Sequence, residues 1–499
     1  MRLSKEQGAD PWVITNTRST NCMEVEIERN FKAYPSIFLE GVFNVVTSTK
    51  LINEYFDIDY IKSFYIENQK KKTSVGVDKI NSRLFIENID WYCITINRKI
   101  LNGSYKFTPY KQKLISKGMG KKPRQISIPT IKDKTTLALL KEILQSKFQN
   151  DVYYETVHTI ISDLENNLKN TQFNYYFKID ISDFYGSINH DYLLKKLKKR
   201  IRNDNVLGII KRSLKTPTVK EGASSKEGKV NRQGVPQGLP ISNILSSIYM
   251  SSLDRKYLRK DNIVYKRFVD DIIILCNSSD KDKIIKEIKR DIENDKTLDL
   301  PLNSDKGEEG NTSDGFKYLG YELIPESTTI RKEAIESIEK SLEKIFISFS
   351  HSVKKSNPNI NFFIWQLNLR ITGSKYNKKK FGWLLFYSQT SKNNEEIFHH
   401  LDWFVRKKLL KDRFELDKLI DENQIKRFSR AYNEIRNNFK NTSYLPNFDS
   451  YTLEDKIHFL EETLDKRTHD LSSERIDFLF NTTIYKEVSQ LDKDIQEIS

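Results

Sequence analysis

Cysteine is scarce in this chain, with three in 499 residues. Cys22, Cys93 and Cys276 stand too far apart for the paired spacing of a zinc site or a disulfide framework. That usage points to a reducing compartment, and the cytoplasm is the expected location. Histidine is also rare, at seven residues. Its one adjacent pair, His399-His400, diverges on a helix and is expected to be structural. No apolar run reaches the roughly 20 residues needed to span a bilayer. Met1 to Ile27 is mixed polar and lacks the apolar core of a signal peptide. A membrane partner is therefore not expected. Internal repeats and low-complexity tracts are missing too, which sets aside solenoids and compositionally biased tails.

What the chain has in excess is positive charge. Lys and Arg number 83 against 68 Asp and Glu, a formal net charge of +15. Such an excess attracts a polyanion without regard to sequence and exceeds what solubility alone requires. Nucleic acid is the expected partner. The 24 tyrosines and 28 phenylalanines supply rings for a large core, and some of them for stacking on bases.

The pattern along the chain is mixed. Phe38 to Phe56 and residues 61–104 read as helices, broken at Val75-Gly76-Val77-Asp78, with Asp78 as a candidate N-cap. Tyr105 to Tyr110 and Gln125 to Pro129 read as strands. They flank a basic stretch with Lys111, Lys113, Lys117, Lys121, Lys122 and Arg124 around Gly118 and Gly120. This is a hairpin whose tip suits a triphosphate, with lysine as a point charge and arginine as a fork. Asp133 to Gln149 is an amphipathic helix. Tyr175 to Ile181 is an apolar strand, and Asp180 stands where it breaks into a turn. Gln233-Gly234-Val235-Pro236-Gln237-Gly238-Leu239-Pro240 is a rigid turn that exposes backbone and opens a helix. Leu298 to Asn303 reads as a short strand and Phe316 to Leu323 as an aromatic strand or hairpin. Residues 330–499 are largely helical.

Between 263 and 275 two apolar strands flank Asp270-Asp271. The expected hairpin has both carboxylates at its tip, although Asp-Asp is not favoured turn chemistry. Adjacent like charges between buried strands are costly without a compensating cation. A divalent metal with oxygen ligands is the simplest compensation. Asp180, Asp270 and Asp271 all begin or end apolar strands. In an antiparallel α+β sheet the hairpin tip can face the end of the first strand. Two ions about 3.5–4 Å apart fit between three such carboxylates, the arrangement that moves a nucleotidyl group onto a hydroxyl.

Taken in order, these segments resemble the reverse transcriptases, in particular their bacterial group-II-intron and retron-like branch. Asp180 to His190 resembles the first carboxylate motif and Gln233 to Ser242 the Pro-Gln-Gly motif. Phe268-Val269-Asp270-Asp271 resembles the aromatic-x-Asp-Asp box, Leu302 to Lys306 the lysine motif, and Phe316 to Gly320 the primer grip. The likeness covers roughly residues 75–325, and the joint order is far more specific than any single motif.

The resemblance implies a right-hand polymerase of the α+β class, with an antiparallel palm sheet followed by a helical C-terminal region. The implied divisions are a helical extension at 1–74, fingers and palm at 75–325, a thumb at 326–414 and a helical region at 415–499. Asp180, Asp270 and Asp271 become the catalytic metal ligands, with the Ile181 carbonyl assisting. Two Mg2+ ions are implied, with Mn2+ as an alternative. Lys117, Arg124, Tyr185, Gln237, Gly238 and Lys306 would meet the incoming nucleotide. Tyr185 would be the steric gate against a ribose 2′-hydroxyl, and Lys306 a general acid for pyrophosphate. Phe316, Tyr318, Leu319 and Gly320 would grip the primer.

The implied activity is RNA-directed DNA synthesis from dNTPs, giving a DNA product on an RNA template. The helical C-terminal block, without a Cys/His cluster or a second acidic constellation, is similar to the stand-alone antiphage enzymes. That makes a structured non-coding RNA the expected template. Retron- or intron-type synthesis and template-independent terminal transfer remain alternatives on the same site. Homo-oligomerisation and the primer stay open. Tyr432, Tyr444, Tyr451 and Tyr485 are candidate protein hydroxyls for priming.

Overall fold

Residues 272–275 are apolar at four successive positions because both faces of their sheet are covered. The computed structural model describes residues 47–69, 74–116, 123–222, 228–294, 296–303, 307–355, 358–388, 395–411, 416, 418–421 and 423–496. Ser48–Ser499 forms one compact unit.

Strands β1 (Tyr110–Ile115) and β2 (Arg124–Ile128) pair antiparallel, with Ile115 opposite Arg124. The first strand therefore starts at Tyr110 and not at Tyr105. Lys111 and Lys113 lie on it and not in the tip. Next come β3 (Tyr175–Ile179) and β4 (Thr218–Val219), the latter running parallel to β1. The central sheet adds β5 (Ile263–Phe268), β6 (Asp271–Cys276) and β7 (Glu309–Asn311) in the order β5-β6-β3-β7, all antiparallel. Leu298 to Asn303 does not form a strand. Its one ladder contact is an antiparallel bridge from Leu302 to Ile181.

Side chains alternate across the sheet as a pleated strand requires. Tyr175, Phe177, Ile179, Ile272, Ile274 and Cys276 point into one core. That core is shared with the helices Ser48–Tyr55, Ile89–Leu101, Ile131–Phe148 and Ser242–Tyr257. Tyr176, Ile273 and Leu275 point into a second core, with the helices Val157–Leu168 and Lys332–Lys354. A sheet packed on both faces has no need of the polar alternation seen in solvated strands.

Side-chain caps open several of the helices. Thr130 caps Ile131–Phe148 by accepting from Asp133 N, and Asn203 caps Asp204–Lys215 by accepting from Val206 N. Asp78 is not a cap. Its carboxylate accepts from Ile80 N, and Asn81 caps the following helix Ser82–Glu87.

Beyond the palm, β8 (Phe316–Tyr318), β9 (Tyr321–Ile324) and β10 (Ser327–Ile330) form a small antiparallel sheet. Helices Lys332–Lys354, Ile360–Thr372 and Glu396–Lys411 follow. The last helix, Ser473–Gln496, joins a third core with Leu369, Tyr376, Phe448 and Phe459. Asp494 on it accepts from Ser341 Oγ at 2.8 Å and pairs with Arg370. The C-terminal helix is thereby fastened to two helices of the block that follows the palm. Among the described residues no helix is long and apolar enough to cross a membrane.

Candidate active site

The β5–β6 register pairs Phe268 with Asp271. The two loop residues are thus Val269 and Asp270, and Asp271 opens the return strand. The expected Asp-Asp tip is displaced by one residue. Val269 has φ of +59°. A β-branched residue there carries strain on the order of 1–3 kcal/mol. Positive φ at only the first loop position matches a type II′ turn, where glycine is preferred.

Arg267 holds this turn. Its Nη1 donates to the Val269 carbonyl at 2.7 Å. Its Nε and Nη2 make a two-pronged pair with Asp254 at 2.7 and 2.6 Å. Tyr265 donates its hydroxyl to the same carboxylate at 2.8 Å. Arg267 and Asp254 are 5% and 2% exposed. Burial opposes the guanidinium's charge, but Asp254 outweighs it and raises Arg267 above its ordinary value.

Ile179 pairs with Ile272 across β3–β6. Continuing that antiparallel register by one residue sets Asp180 opposite Asp271. Cross-strand neighbours stand about 4.5–5.5 Å apart, so this register directs Asp180 and Asp271 toward each other at the end of the sheet, next to the turn that carries Asp270. Asn303 fixes Asp180 twice. Its amide nitrogen donates to Asp180 Oδ2 at 3.1 Å, and its backbone N–H to the Asp180 carbonyl at 3.0 Å. The ladder beside it uses the Asp180 carbonyl and Ser182 N–H, not the Ile181 carbonyl. Among the described residues no three acidic, histidine or cysteine side chains are gathered into a ready-made metal cage. The donors nevertheless fit a hard cation: carboxylates at the ends of rigid strands, with a backbone carbonyl alongside.

The turn after β3 and the Gln233–Gly238 turn form one body. Gly234 N–H donates to the Ile188 carbonyl at 2.8 Å and Val235 N–H to the Tyr185 carbonyl at 2.7 Å. Gly234 has φ of +84°, and a Cβ on it would stand 2.7 Å from the Gly186 carbonyl oxygen. Only glycine lets the two turns meet this closely. On the other side, the Gln237 carbonyl accepts from Ser127 N–H at 2.7 Å. The turn therefore touches β2, the strand that begins with Arg124.

Tyr185 stands half-buried beside these turns and donates its hydroxyl to Asn243 Oδ1 at 2.8 Å. Burial raises that hydroxyl above its usual value. Ser246 counters burial, Asp270 adds to it and Arg124 opposes it.

The β8–β9 turn, Leu319-Gly320, has φ of +47° and +81°, the type I′ pattern of tight hairpins. Phe316, Tyr318 and Leu319 are buried. Tyr318 donates its hydroxyl to the Asp271 carbonyl at 2.9 Å, which ties this hairpin to the carboxylates. Burial raises that phenol well above its usual value, and Asp271 adds to the effect. Lys117 and Lys306 lie outside the described residues.

Of the candidate priming tyrosines, Tyr432 is buried and stacks on Phe398 at 4.3 Å. Tyr444 accepts from Arg427 N–H at 2.8 Å. Tyr451 and Tyr485 pack against the third core.

Asp254, Arg267, Asn243 and Asn303 escaped the sequence reading. A basic residue inside the strand-like stretch Tyr265 to Val269 was the available sign of Arg267, since a buried guanidinium demands a carboxylate.

Residues 115–323 match the family model described as reverse transcriptase (RNA-dependent DNA polymerase). The segment that holds Asp180, the Pro-Gln-Gly turn and the carboxylate hairpin is therefore a reverse transcriptase domain, an RNA-directed DNA polymerase domain. Among curated proteins the chain is similar to Protein YkfC of Escherichia coli strain K12. They are 23% identical over 335 residues, 58% of this chain and 84% of YkfC. It is also similar to the group II intron-encoded protein LtrA of Lactococcus lactis subsp. cremoris, 24% identical over 172 residues. That match covers 33% of this chain and only 28% of LtrA. Among solved structures, telomerase from Candida albicans in complex with a TWJ fragment of telomeric RNA aligns over 71% of this chain and 73% of that one. Its identity is 13% and its TM-score 0.41.

Proposed function

We propose that the whole protein is a cytoplasmic RNA-directed DNA polymerase that copies a bound, structured non-coding RNA in antiphage defence. The observation that carries the polymerase reading is the pairing of Ile179 with Ile272, a register that continues toward Asp180 and Asp271 beside the turn carrying Asp270. Asp180, Asp270, Asp271 and the Ile181 carbonyl would hold two divalent ions, Mg2+ or Mn2+. Such ions supply charge for hydroxyl activation and for the leaving pyrophosphate. Arg124 would fork onto the triphosphate, with Lys117 beside it. Gln237 and Gly238 would line the incoming nucleotide and the template base. Tyr185 would exclude a 2′-hydroxyl, so that dNTPs are used. Lys306 would protonate pyrophosphate. With Phe316, Tyr318 and Leu319 buried, the backbone of the Leu319-Gly320 turn would grip the primer. The functional divisions would run 1–74, 75–325, 326–414 and 415–499.

The net charge of +15 supports a polyanionic template. Intron-type synthesis is the second reading, favoured by the likeness to LtrA. Sequencing the nucleic acid that co-purifies with the protein, with and without Asp270→Asn, separates the two. A single non-coding RNA with complementary DNA, the DNA missing from the variant, is the expected result. Intron RNA would favour the second reading. The absence of complementary DNA in both samples would argue against RNA-directed synthesis.

A further inference from the structure

We propose that Asn243 is a specificity-determining positioning residue, fixing the Tyr185 ring so that it discriminates between deoxyribose and ribose. This rests on the reading of Tyr185 as the sugar gate.

Tyr185 is held at both ends. Its carbonyl accepts from Val235 N–H at 2.7 Å, which fixes its backbone to the Gln233–Gly238 turn. Its hydroxyl donates to Asn243 Oδ1 at 2.8 Å. Between these ends the ring packs edge-on against buried Phe184, at 5.3 Å between centroids. A phenyl ring held only by its backbone can swing between staggered rotamers. Tethering the para hydroxyl removes that freedom.

Asn243 is itself well placed. It sits in the first turn of the helix Ser242–Tyr257. Ser242 Oγ ties the start of that helix to the Pro236 carbonyl at 2.7 Å. Ser246 Oγ donates to the Asn243 carbonyl at 2.9 Å. The acceptor for the gate is thus anchored to the same turn that grips the gate's backbone. Displacement of that turn by a nucleotide would carry both ends of the ring together. Asn243 is exposed, so its amide is not required for core packing. An exposed asparagine hydrogen-bonded to a half-buried phenol fits a role in orienting the ring.

The test is steady-state incorporation of dCTP against CTP by the full chain on an RNA template with an annealed primer. The readout is the ratio of the two kcat/KM values. Asn243→Ala and Tyr185→Phe each delete the same bond from opposite sides while keeping the ring. Each is expected to lower the ratio by about fivefold to tenfold, the worth of one hydrogen bond. The double variant is expected to be no worse than Tyr185→Phe alone, because the Asn243 bond is already lost there. Asn243→Asp retains the acceptor oxygen and is expected to restore the parent ratio. Tyr185→Ala should collapse it.

Unchanged ratios in Asn243→Ala and Tyr185→Phe, beside a collapse in Tyr185→Ala, would overturn the positioning role and leave the gate standing. Additive losses in the double variant would also overturn it. An unchanged ratio in Tyr185→Ala would remove the gate itself, and the positioning role with it.

Discussion

Asp254→Ala should wound the carboxylate hairpin more deeply than any other substitution outside the three aspartates. It strands the Arg267 guanidinium inside the palm. With Asp254 and Arg267 at 2% and 5% exposed, solvent has little access to replace the lost bonds. Removing one member of a buried pair costs about 3–5 kcal/mol. Tyr265 loses its acceptor in the same stroke, roughly another 1 kcal/mol. For a domain of the palm's size that combined loss lowers Tm by about 10–20 °C. Thermal denaturation followed by circular dichroism measures it. A second variant, Arg267→Met with Asp254→Leu, separates stability from positioning. Replacing a buried pair by apolar groups of similar volume is often neutral or stabilising, so this variant should melt well above Asp254→Ala and only a little below the parent, the Tyr265 hydroxyl alone having lost its acceptor at roughly 1 kcal/mol. It also lacks the Nη1 bond to the Val269 carbonyl, so the strained turn is no longer held and nucleotide incorporation should fall. A melting point for Asp254→Ala within 2 °C of the parent, by order of magnitude far below the expected loss, would refute the energetic reasoning. A double variant that polymerises like the parent would refute the clamp on the turn.

Gly234→Ala should drive the Gln233–Gly238 turn away from Gly186, since its Cβ would stand 2.7 Å from the Gly186 carbonyl oxygen. A shift of about 1 Å in a positioning element costs on the order of a hundredfold in rate, to be read in kcat/KM for a dNTP. Lys196 is 5% exposed, donates to the Ile248 and Tyr249 carbonyls, and is pushed down to about 7 by burial. The folded state then sheds a proton that the unfolded chain keeps up to the ordinary lysine range. The penalty is full below about pH 7 and fades as pH rises above it, so stability climbs with pH. Lys196→Met should flatten that climb in urea titrations run across the range. An unaltered slope would exclude Lys196 as its source.

The hairpin, the strand ending at Asp180 and the helical C-terminal region were legible in the sequence because each carries a strong period or a strong break. Ile272 to Leu275 announced a sheet covered on both faces, and Gly234 with Pro236 announced a fixed turn. Less was legible where the outcome depends on partners distant in the chain. The register that makes Val269-Asp270 the loop is decided by Arg267 reaching Asp254, thirteen residues earlier, and no local turn rule contains that bond. Asn303 reads as an ordinary loop residue until the fold carries it to Asp180, 123 positions away. Leu298 to Asn303 has strand composition but lies where a single bridge to Ile181 is all the ladder it gains. Asp78 lost the cap to Asn81 because a side chain three residues from Leu84 N–H reaches it, a distinction of position and not of residue type.

Extension of a DNA primer on an RNA template, with labelled dNTPs and Mg2+, reads out RNA-directed synthesis itself. The parent protein is expected to add template-directed deoxynucleotides. Asp270→Asn and Asp271→Asn are expected to add none while binding the same RNA with the same steep salt dependence, because the basic surface is unchanged. Incorporation by both variants at the parent's rate, or incorporation that ignores the template sequence, would contradict an RNA-directed polymerase centred on Asp180, Asp270 and Asp271.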